Sequence, residues 1–456
     1  MDNRKLSAWQ IASLLVSTSC GIGFLFGTGE LALRQGMAAC LYAVATAIGL
    51  LALAFVAPRL WQTGQSIWAY FDATYGPAIG QQVAALSLIW MTGVLGAQIR
   101  GASALLTLSG ASRTTSIIAV DCLVLGLSFV RRSSLSSFFA ICLGGCNAIL
   151  IYALIKIHRL DVWIHAPVNF VQSIHLRPIG HVGLTLFSVV ALVICGADYQ
   201  QFPLEARTPS NARNGCLLAA VVVFLVGFLP ASTVIASAGL WHLNALQDPV
   251  QVVPMALTHA LVDIDGITQI AVVFILLMTA LGAACSILRA MSDATATLWP
   301  SVCRRATLGR ILLVLVATLL ATSGRSIIDM MVTLNIIYLA AVGPLLGLTF
   351  LNCHITYQAA KRSMLTGFGI AMACYLIRWT NTIGLHESLT LVLAWPGALL
   401  EALRSGIANG NSTHHVPERP LDSRTITRLA RHRHLPAEPD RGAELAYDAH
   451  DESQDR

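Results

Sequence analysis

Residues Ser13–Gly36 read SLLVSTSCGIGFLFGTGELALRQG, an apolar stretch that carries too many glycines for an unbroken helix. Three hydroxyl side chains stand in a row at 17–19, and four glycines follow within nine residues. Each glycine costs a helix about 1 kcal/mol relative to alanine, so the pattern predicts a helix that opens here. In a bilayer, open backbone survives only where protein buries it or where it lines a watered cavity, and transporters bind solutes at such breaks. Close approach of a neighbouring helix to small residues is the alternative explanation.

The composition of the whole chain is that of an integral membrane protein. Of its 456 residues, 55% are hydrophobic and only 11% are charged, whereas soluble domains carry about 25% charged residues. The net charge of +6 is spread over loops and the C-terminal part, which does not indicate nucleic-acid binding. The 11 cysteines form no CxxC pair and no Cys/His metal spacing, so we predict no metal site and interpret them as small apolar residues.

Apolar stretches recur along the chain and predict an all-α integral membrane fold with about twelve transmembrane helices. A span needs roughly 20 apolar residues. Stretches of this kind lie near 8–32, 37–56, 78–107, 115–130, 137–157, 183–199, 212–240, 266–290, 308–323, 327–352, 363–380 and 387–403. Between the second and the third, residues 57–77 carry Trp and Tyr side chains typical of the membrane interface, and we expect a short interfacial helix there.

The first ten spans divide into two groups of five, near 8–157 and 183–352, and two extra helices follow near 363–403. Because five is an odd number, the second group enters the membrane in the opposite orientation, as an inverted repeat requires. We therefore expect a transmembrane domain over residues 1–405, with a 5+5 inverted-repeat core whose first helix is broken. Residues 406–456 are polar, charged and rich in Pro and His, and we predict a disordered tail there.

The basic residues predict the orientation in the membrane. If the N-terminus lies inside, most of the Lys and Arg residues in the loops lie inside as well, which is the usual bias of inner loops. An even number of spans then returns the C-terminal tail to the same side. We predict a multi-pass protein of the cell membrane (inner or plasma membrane) with both termini cytoplasmic. The lipid bilayer is an expected partner, and nucleic acid is not.

Five stretches of the chain resemble the sodium:solute symporter family, in the same order as in that family. They are Phe24–Gly29 after the predicted break, Gly64–Gly76 after the second span, Gln98–Ala102 in the third, Asp198–Gly215 after the sixth, and Ser292–Trp299 at the end of the eighth. The family has the five-plus-five inverted-repeat (LeuT-like) transporter fold, so the resemblance implies that fold and solute transport. The fourth stretch is similar to a cytoplasmic loop of the family, which implies a structural role for Asp198.

The break and the resemblance together indicate where a solute would bind. We expect the substrate-binding residues at the opening of the first span and on the facing part of the third: Ser17, Thr18, Ser19, Gly21, Gly23, Gln98 and Arg100. The sugar-binding side chains of the family fall on residues 21–23, so we do not expect a solute held as a sugar is. For Gln98, an interhelical hydrogen bond is the alternative role. For Arg100, a clamp on a substrate carboxylate and an ion pair with Asp121 are both open.

The resemblance also implies an ion site, and the sequence departs from it. In the family, sodium lies between backbone carbonyls of the first core helix and two hydroxyls of the eighth. Those hydroxyl positions fall on residues 281–282, a leucine and a glycine without side-chain oxygens, although sodium prefers oxygen ligands. A weak site is left, made of Val16, Ser19, Thr279, Gly282 and Ser286. Sodium coupling is therefore in doubt, and Na⁺ and H⁺ both stay open as the coupling ion.

Two ionisable residues near the end of the eighth span suggest a gate. Arg289 and Asp293 lie four residues apart, on one helical face. Ionisable residues within spans are costly and by default mark functional positions, so we interpret the two as a gating ion pair. A purely structural pair at the helix end is the alternative.

No motif for catalysis or cofactor binding accompanies these features. The sequence holds no GxxxxGK[ST], no HExxH and no GxSxG pattern, so we predict no catalytic residues and no cofactor, and an enzyme is the least favoured class. The sequence predicts a secondary active transporter that moves a small polar or organic solute by alternating access. The alternative is a solute sensor or scaffold that has a transporter-like membrane domain but does not move its ligand.

Overall fold

The computed structural model describes residues 6–130, 132–243, 246, 248–261, 266–299, 306–322, 327–351, 353, 355–380 and 387–408. Residues Met1–Ala408 belong to one compact unit. The tail predicted for 406–456 lies outside the described residues from position 409 onward. Within the described part, the only β-type pairing is an isolated bridge between Leu6 and Ala206, so the fold is all-α as predicted.

The first half of the chain begins with a broken span. Its helices are α1 (Ala8–Ser19), α2 (Ile22–Gln35), a 3-10 helix (Gly36–Cys40), α3 (Leu41–Thr63), α4 (Ile67–Tyr75), α5 (Pro77–Leu108), α6 (Arg113–Ser128) and α7 (Arg132–Lys156). Two short helices lead to the second half, α8 (Leu160–Ile164) and α9 (Ala166–Ile174). The short interfacial helix predicted for 57–77 corresponds to α4, while residues 57–63 continue α3.

The second half also begins with a broken span. Its helices are α10 (Ile179–Cys195), α11 (Ala197–Leu204), α12 (Pro209–Val226), α13 (Leu229–Ala238), a 3-10 helix (Pro249–Gln251), α14 (Val252–Ala260), α15 (Gly266–Leu298), α16 (Ala306–Ala321) and α17 (Ile327–Phe350). The two extra helices follow as α18 (Tyr357–Trp379) and α19 (Glu387–Ala408). Each of the twelve stretches predicted to span the membrane coincides with one of these helices or with a pair of them.

The two halves repeat the same succession of helix lengths. After the broken span and the second span, each half has a short helix of 9 residues, α4 and α14. A long helix follows, 32 residues in α5 and 33 in α15. Next come α6 and α16, with 16 residues each, and the halves close with 25 residues in α7 and 24 in α17. This agreement is the internal repeat that the count of spans predicts.

Local signals fix where several helices begin. Ser7 caps α1 in a capping box, in which its hydroxyl accepts from Gln10 N–H and the Gln10 side chain accepts from Ser7 N–H. The Thr208 hydroxyl caps α12, whose first residue is Pro209. These side chains satisfy N–H groups that the first helical turn leaves without partners.

The second and third spans of one half pack against their counterparts in the other half. The packing of α3 against α12 is the most extensive between two helices of the described part, and α5 packs as closely against α15 as α18 does against α19. Glycines allow close approach here, because a Cβ on Gly227 would lie 2.5 Å from the Cβ of Ala43. Apolar side chains from both halves thus form one continuous core.

Contacts define the two ends of the bundle. At the N-terminal face, Leu6 N–H donates to Glu205 O at 3.1 Å, and the Trp61 indole donates to Ala206 O at 2.8 Å. At the opposite face, which we call the far face, Gln35 at the end of α2 lies near His181 at the start of α10. Each broken span thus has one half directed toward each face.

Length and composition identify membrane-spanning segments within the described ranges. Six segments qualify, and a seventh does if the bent pair α10 and α11 counts as one span. Seven is five below the twelve predicted stretches: α6 and α16 have only 16 residues each, α2 and α3 are counted together as Ile22–Thr63, and α18 and α19 do not qualify. The protein is a multi-pass membrane protein.

Candidate functional site

The first span breaks where the glycine pattern predicts. The helix α1 ends at Ser19, two non-helical residues follow, and α2 begins at Ile22. The Cys20 N–H still donates to Val16 O at 2.7 Å, which closes the last turn of α1. On the other side of the break, the Gly23 N–H donates to the side-chain Oε1 of Gln98 at 3.1 Å. Gln98 therefore caps α2 from the neighbouring helix α5.

The sixth span is also broken, which the sequence analysis missed. The helix α10 ends at Cys195, Gly196 is extended with ψ of 126°, and α11 starts at Ala197 with a bend of 43° between the two helices. The available signal was a single glycine followed two residues later by Asp198 in an apolar run. The stretch assigned to a loop therefore begins inside a helix, and Asp198 lies in the first turn of α11.

Side chains satisfy the carbonyl groups that this second break leaves open. The Tyr338 hydroxyl donates to Cys195 O at 2.8 Å, and Gln200 Nε2 donates to Ile194 O at 2.6 Å. The last carbonyls of a helix otherwise lack partners, and they carry the negative end of its dipole. The end of α10 is thus held by α17 and α11.

The two breaks lie next to each other. Tyr199, in the first turn of α11, lies beside Ser19 at the end of α1. Asp198 is 1% exposed, and Tyr42 on α3 lies within electrostatic range of it. The indole of Trp90 on α5 also lies beside Asp198, but the two groups do not have hydrogen-bond geometry. Oδ1 of Asp198 and Nε1 of Trp90 therefore have no hydrogen-bond partner among the described residues.

The first break is closed between α5 and α15 in this conformation. A Cβ on Gly21 would lie 2.7–2.8 Å from the amide atoms of Gln98 and 2.9 Å from the Cβ of Ala283. A Cβ on Gly23 would lie 2.9 Å from the backbone of Ala97. The small residues therefore also serve close packing, the alternative explanation for the glycines, and both explanations hold together.

The predicted hydroxyls of the first break are all buried. Ser17, Thr18 and Ser19 have exposed fractions of 5–6%. The Ser19 hydroxyl donates to Leu15 O within α1 at 2.8 Å, whereas Thr18 Oγ1 has no hydrogen-bond partner among the described residues. With Gly21, Gly23 and Gln98, these residues are brought together around one break.

A narrow cleft lies at the far face. It has a volume of about 90 Å³ and lies between α2, α10 and α17. Gln35, Arg177 and His181 line it, as does Tyr42, which neighbours Asp198. A larger cleft of about 210 Å³ lies between α5, α14 and α15, is lined mainly by apolar side chains, and includes none of the residues at the breaks.

Arg100 forms its ion pair with a different partner from the one considered. Its Nη2 lies 3.6 Å from Oδ1 of Asp248, just before the second 3-10 helix. Asp121 instead accepts from the Thr318 hydroxyl on α16, at 2.9 and 3.0 Å. The proposed pair of Arg100 with Asp121 is therefore wrong. The structure places Arg100 two residues after Gln98 on α5, with its guanidinium group beside Asp248.

Oxygens of the predicted weak ion site are hydrogen-bonded within their own helices, and the site itself stays a prediction. The Thr279 hydroxyl donates to Ile275 O at 2.8 Å within its own helix, as the Ser19 hydroxyl does in α1. Val16 O accepts from Cys20 N–H. A Cβ on Gly282 would lie 2.7 Å from the ring of Phe139, so this position is packed against an aromatic side chain. Ser286 is partly buried.

The predicted gating residues lie on α15, toward its end. An Nη2–H group of Arg289 donates to the carbonyl oxygen of Val130, next to the end of α6. Asp293 lies one turn further along and is exposed. Arg289 thus ties α15 to α6, and the pairing of Arg289 with Asp293 stays a prediction.

Comparison with known proteins supports the fold. By sequence, the chain matches no family model and no curated protein. By structure, it is similar to a Na⁺-coupled sialic acid symporter in a substrate-bound outward-open state, with a TM-score of 0.68 and 11% identity over 89% of this chain and 91% of that chain. It is also similar to a nucleobase-cation-symport-1 family transporter in a closed conformation with bromovinylhydantoin bound, with a TM-score of 0.56 and 15% identity over 89% and 94%.

A manganese transporter of Eremococcus coleocola is similar as well, with a TM-score of 0.50 and 12% identity over 93% of this chain and 90% of that chain. The three comparisons cover 89–93% of this chain. The chain has the fold of these membrane transporters.

Proposed function

We propose that the protein is a secondary active transporter that moves a small polar or organic solute by alternating access. The observation that carries this proposal is the meeting of two broken spans, one from each half, where Tyr199 lies beside Ser19. Broken helices expose N–H and carbonyl groups within the membrane, and they persist where they line a site. The structural neighbours, among them a sialic acid symporter and a hydantoin-binding transporter, support a small organic solute.

The solute would bind at the first break, where the N-terminal end of α2 offers N–H groups and a positive dipole end. Gln98 now accepts from Gly23 N–H, so solute binding would replace this bond or use the other amide atoms of Gln98. Ser17, Thr18, Ser19 and Gly21 complete the proposed site. The cleft that reaches Tyr42 is the proposed route from the far face.

Arg100 fits a gate better than a substrate clamp. Its guanidinium group lies 3.6 Å from Asp248, in the segment that leads into α14. Both this segment and α14 pack against α2. A Cβ on Gly29 would lie 2.1 Å from the side chain of Val253 in α14. We propose that opening of the far face separates Arg100 from Asp248.

The proposal includes no enzymatic activity and no coupling through the inherited sodium position. The two positions at which the family carries hydroxyls hold a leucine and a glycine here, residues 281–282, and sodium prefers oxygen ligands. We also place both termini in the cytoplasm on the charge bias of the loops. A C-terminal fusion to a reporter that is active only in the cytoplasm checks this placement, and an inactive but intact fusion argues against it.

The experiment begins with a thermal-shift screen of the purified full-length protein against polar and organic solutes, with and without sodium. Each stabilising solute is then tested for counterflow in proteoliposomes. We expect counterflow of at least one solute, and no requirement for sodium. Binding without any counterflow would instead favour the sensor or scaffold, and a strict sodium requirement would contradict our interpretation of α15.

A matched pair of glycine variants ties the activity to the break. Gly23→Leu places a side chain where the Ala97 backbone already lies, so we expect loss of solute binding and counterflow. Gly126→Leu is the control, since nothing lies within 4 Å of its Cβ position. Equal activity of the two variants would place the solute site elsewhere.

A further inference from the structure

The second break contains a buried carboxylate that the proposed solute site does not use. Asp198 is 1% exposed, and its Oδ1 has no hydrogen-bond partner among the described residues. Within that part of the chain, no Lys, Arg or His forms an ion pair with it. An ionised carboxylate without a compensating cation is very costly in a low-dielectric interior. The backbone N–H groups of residues 198 and 199 at the start of α11 lie near the carboxyl group, but no cation of the described part does. Protonation removes the charge that is costly to bury.

The titratable side chains around Asp198 are mainly phenols and thiols, which carry no charge when protonated. On the elements that surround α11, the titratable residues are Tyr42 on α3, Tyr338 on α17, Cys195 on α10, Cys20 on α1, Cys216 on α12 and Cys285 on α15. His181 is also titratable, and it lies at the start of α10, where it lines the far-face cleft. The charged residues of those helices are engaged or exposed elsewhere: Arg59, Arg213 and Asp293 are exposed, and Arg289 binds Val130 O. Arg100 on α5 is paired with Asp248. None of these groups supplies a fixed cation to Asp198.

The space beside the carboxylate is small. A Cβ on Gly196 would lie 2.7 Å from Oδ1 of Asp198 and 3.2 Å from the Tyr199 ring. Trp90 borders the same group. A proton needs no room beyond the carboxylate itself, whereas a metal ion needs several oxygen ligands around it.

Tyr42 links the far-face cleft with the surroundings of Asp198. The cleft of about 90 Å³ is lined by Tyr42, and Tyr42 lies within electrostatic range of Asp198. The phenol of Tyr42 can both donate and accept a hydrogen bond, so it is suited to pass a proton between water in the cleft and the carboxylate. Carboxylates buried in membrane spans serve as proton relays in pumps and transporters.

We propose that Asp198 carries the coupling proton of this transporter. When the far face is open, a hydronium ion in the cleft gives a proton to Oδ1: an O–H bond of the hydronium breaks, an O–H bond forms on Oδ1, water is left and the carboxyl group is neutral. When the other face opens, the O–H bond on Oδ1 breaks and the proton forms hydronium with water at that face. This inference rests on the proposed function, because a carried proton couples transport only if a solute moves.

The first test reads the proton directly and needs no solute. Infrared difference spectra of the purified full-length protein are recorded between about pH 5 and about pH 9, where exposed carboxyl groups are already ionised. We expect a carbonyl band of a protonated carboxyl group that disappears at the alkaline end, and that Asp198→Asn lacks. Glu30→Gln is the matched control, because Glu30 and Asp198 are the buried acidic side chains among the described residues.

Two outcomes of the infrared test overturn the proposal. One is a band that persists in Asp198→Asn and vanishes in Glu30→Gln, and the other is the absence of any protonated carboxyl band in the wild type. If Asp198→Asn does not fold, Asp198→Glu replaces it. This variant keeps a carboxyl group on a longer side chain and must shift the band in frequency.

The second test separates coupling from transport. Proteoliposomes that contain the pH dye pyranine receive the solute that gives counterflow, in sodium-free buffer. We expect proton movement with the solute, and we expect Asp198→Asn to reduce accumulation driven by a pH gradient by about tenfold or more while Glu30→Gln leaves it unchanged. Wild-type counterflow without proton movement overturns the role of Asp198 but keeps the transporter. Absence of wild-type counterflow with every solute removes the proposed function itself.

Discussion

The side-chain Oε1 of Gln98 accepts a hydrogen bond from the backbone N–H of Gly23, at 3.1 Å, across the interface of α5 and α2. Both residues were expected at the solute site, and the interhelical bond is the alternative that the sequence left open for Gln98. The bond gives the broken helix a cap supplied by a residue 75 positions away in the chain. It therefore links the closed break to the position of α5.

Replacement of Gln98 by Leu removes this cap. The Gly23 N–H then stays buried without a partner, which costs about 1–3 kcal/mol. We expect a lower unfolding temperature in detergent for Gln98→Leu. Gln81→Leu, an exposed position on the same helix, is the control and should behave like the wild type. Equal midpoints for the two variants would show that the cap is not needed.

A methyl group at Gly21 tests how tightly the break is closed. It would lie 2.7–2.9 Å from both Gln98 and Ala283, so α5 and α15 have to move apart. We expect Gly21→Ala to be destabilised by about 1–3 kcal/mol, the usual cost of overpacking. Gly126→Ala meets nothing within 4 Å and should be neutral or more stable by about 1 kcal/mol. The unfolding temperatures of both variants are measured. A Gly21→Ala variant that is more stable than the wild type would contradict the tight packing of α5 and α15 around Gly21.

The ion pair of Arg100 and Asp248 can be measured by a double-mutant cycle. The two side chains are 12% and 39% exposed, so solvent screens the pair, and we expect a coupling free energy of at most about 1 kcal/mol that falls with added salt. The variants are Arg100→Gln, Asp248→Asn and the double variant. The exposed pair of Arg159 and Asp161 serves as a control with coupling near zero. A coupling that does not respond to salt would argue against an ion pair.

The hydroxyl of Tyr338 can be removed without a change of ring. Tyr338→Phe leaves Cys195 O at the end of α10 without its donor, and we expect a loss of about 1–3 kcal/mol in unfolding free energy. Tyr152→Phe, at a residue that is 44% exposed, is the control with little expected effect. A Tyr338→Phe variant as stable as the wild type would mean that another group satisfies this carbonyl.

The sequence predicts the first break because its signal is local. Four glycines and three hydroxyls within one apolar stretch conflict with an ordinary helix, and α1 and α2 separate at residues 20–21. The helices themselves follow from apolar runs of sufficient length. The repeated order of lengths in the two halves follows in turn from those runs.

The second break and the ion pairs depend on contacts that no local pattern carries. Gly196 is a single glycine. The two carbonyl groups before it accept hydrogen bonds from Gln200 in the next turn and from Tyr338 on α17. Arg100 forms an ion pair with Asp248 rather than with Asp121, because folding brings the segment before α14 to the end of α5. Such partners follow from the tertiary arrangement, which the spacing of residues along the chain does not reveal.

The matching helix lengths of α4 to α7 and α14 to α17 bear on the energies of the two open states. If each half takes up the shape of the other, a molecule open at one face becomes a molecule open at the opposite face, with the same backbone segments in exchanged places. The fold alone then gives these states equal free energy. Side chains that differ between the halves decide which face is open at rest. A free-energy difference of about 1.4 kcal/mol between the two states changes the ratio of their populations tenfold.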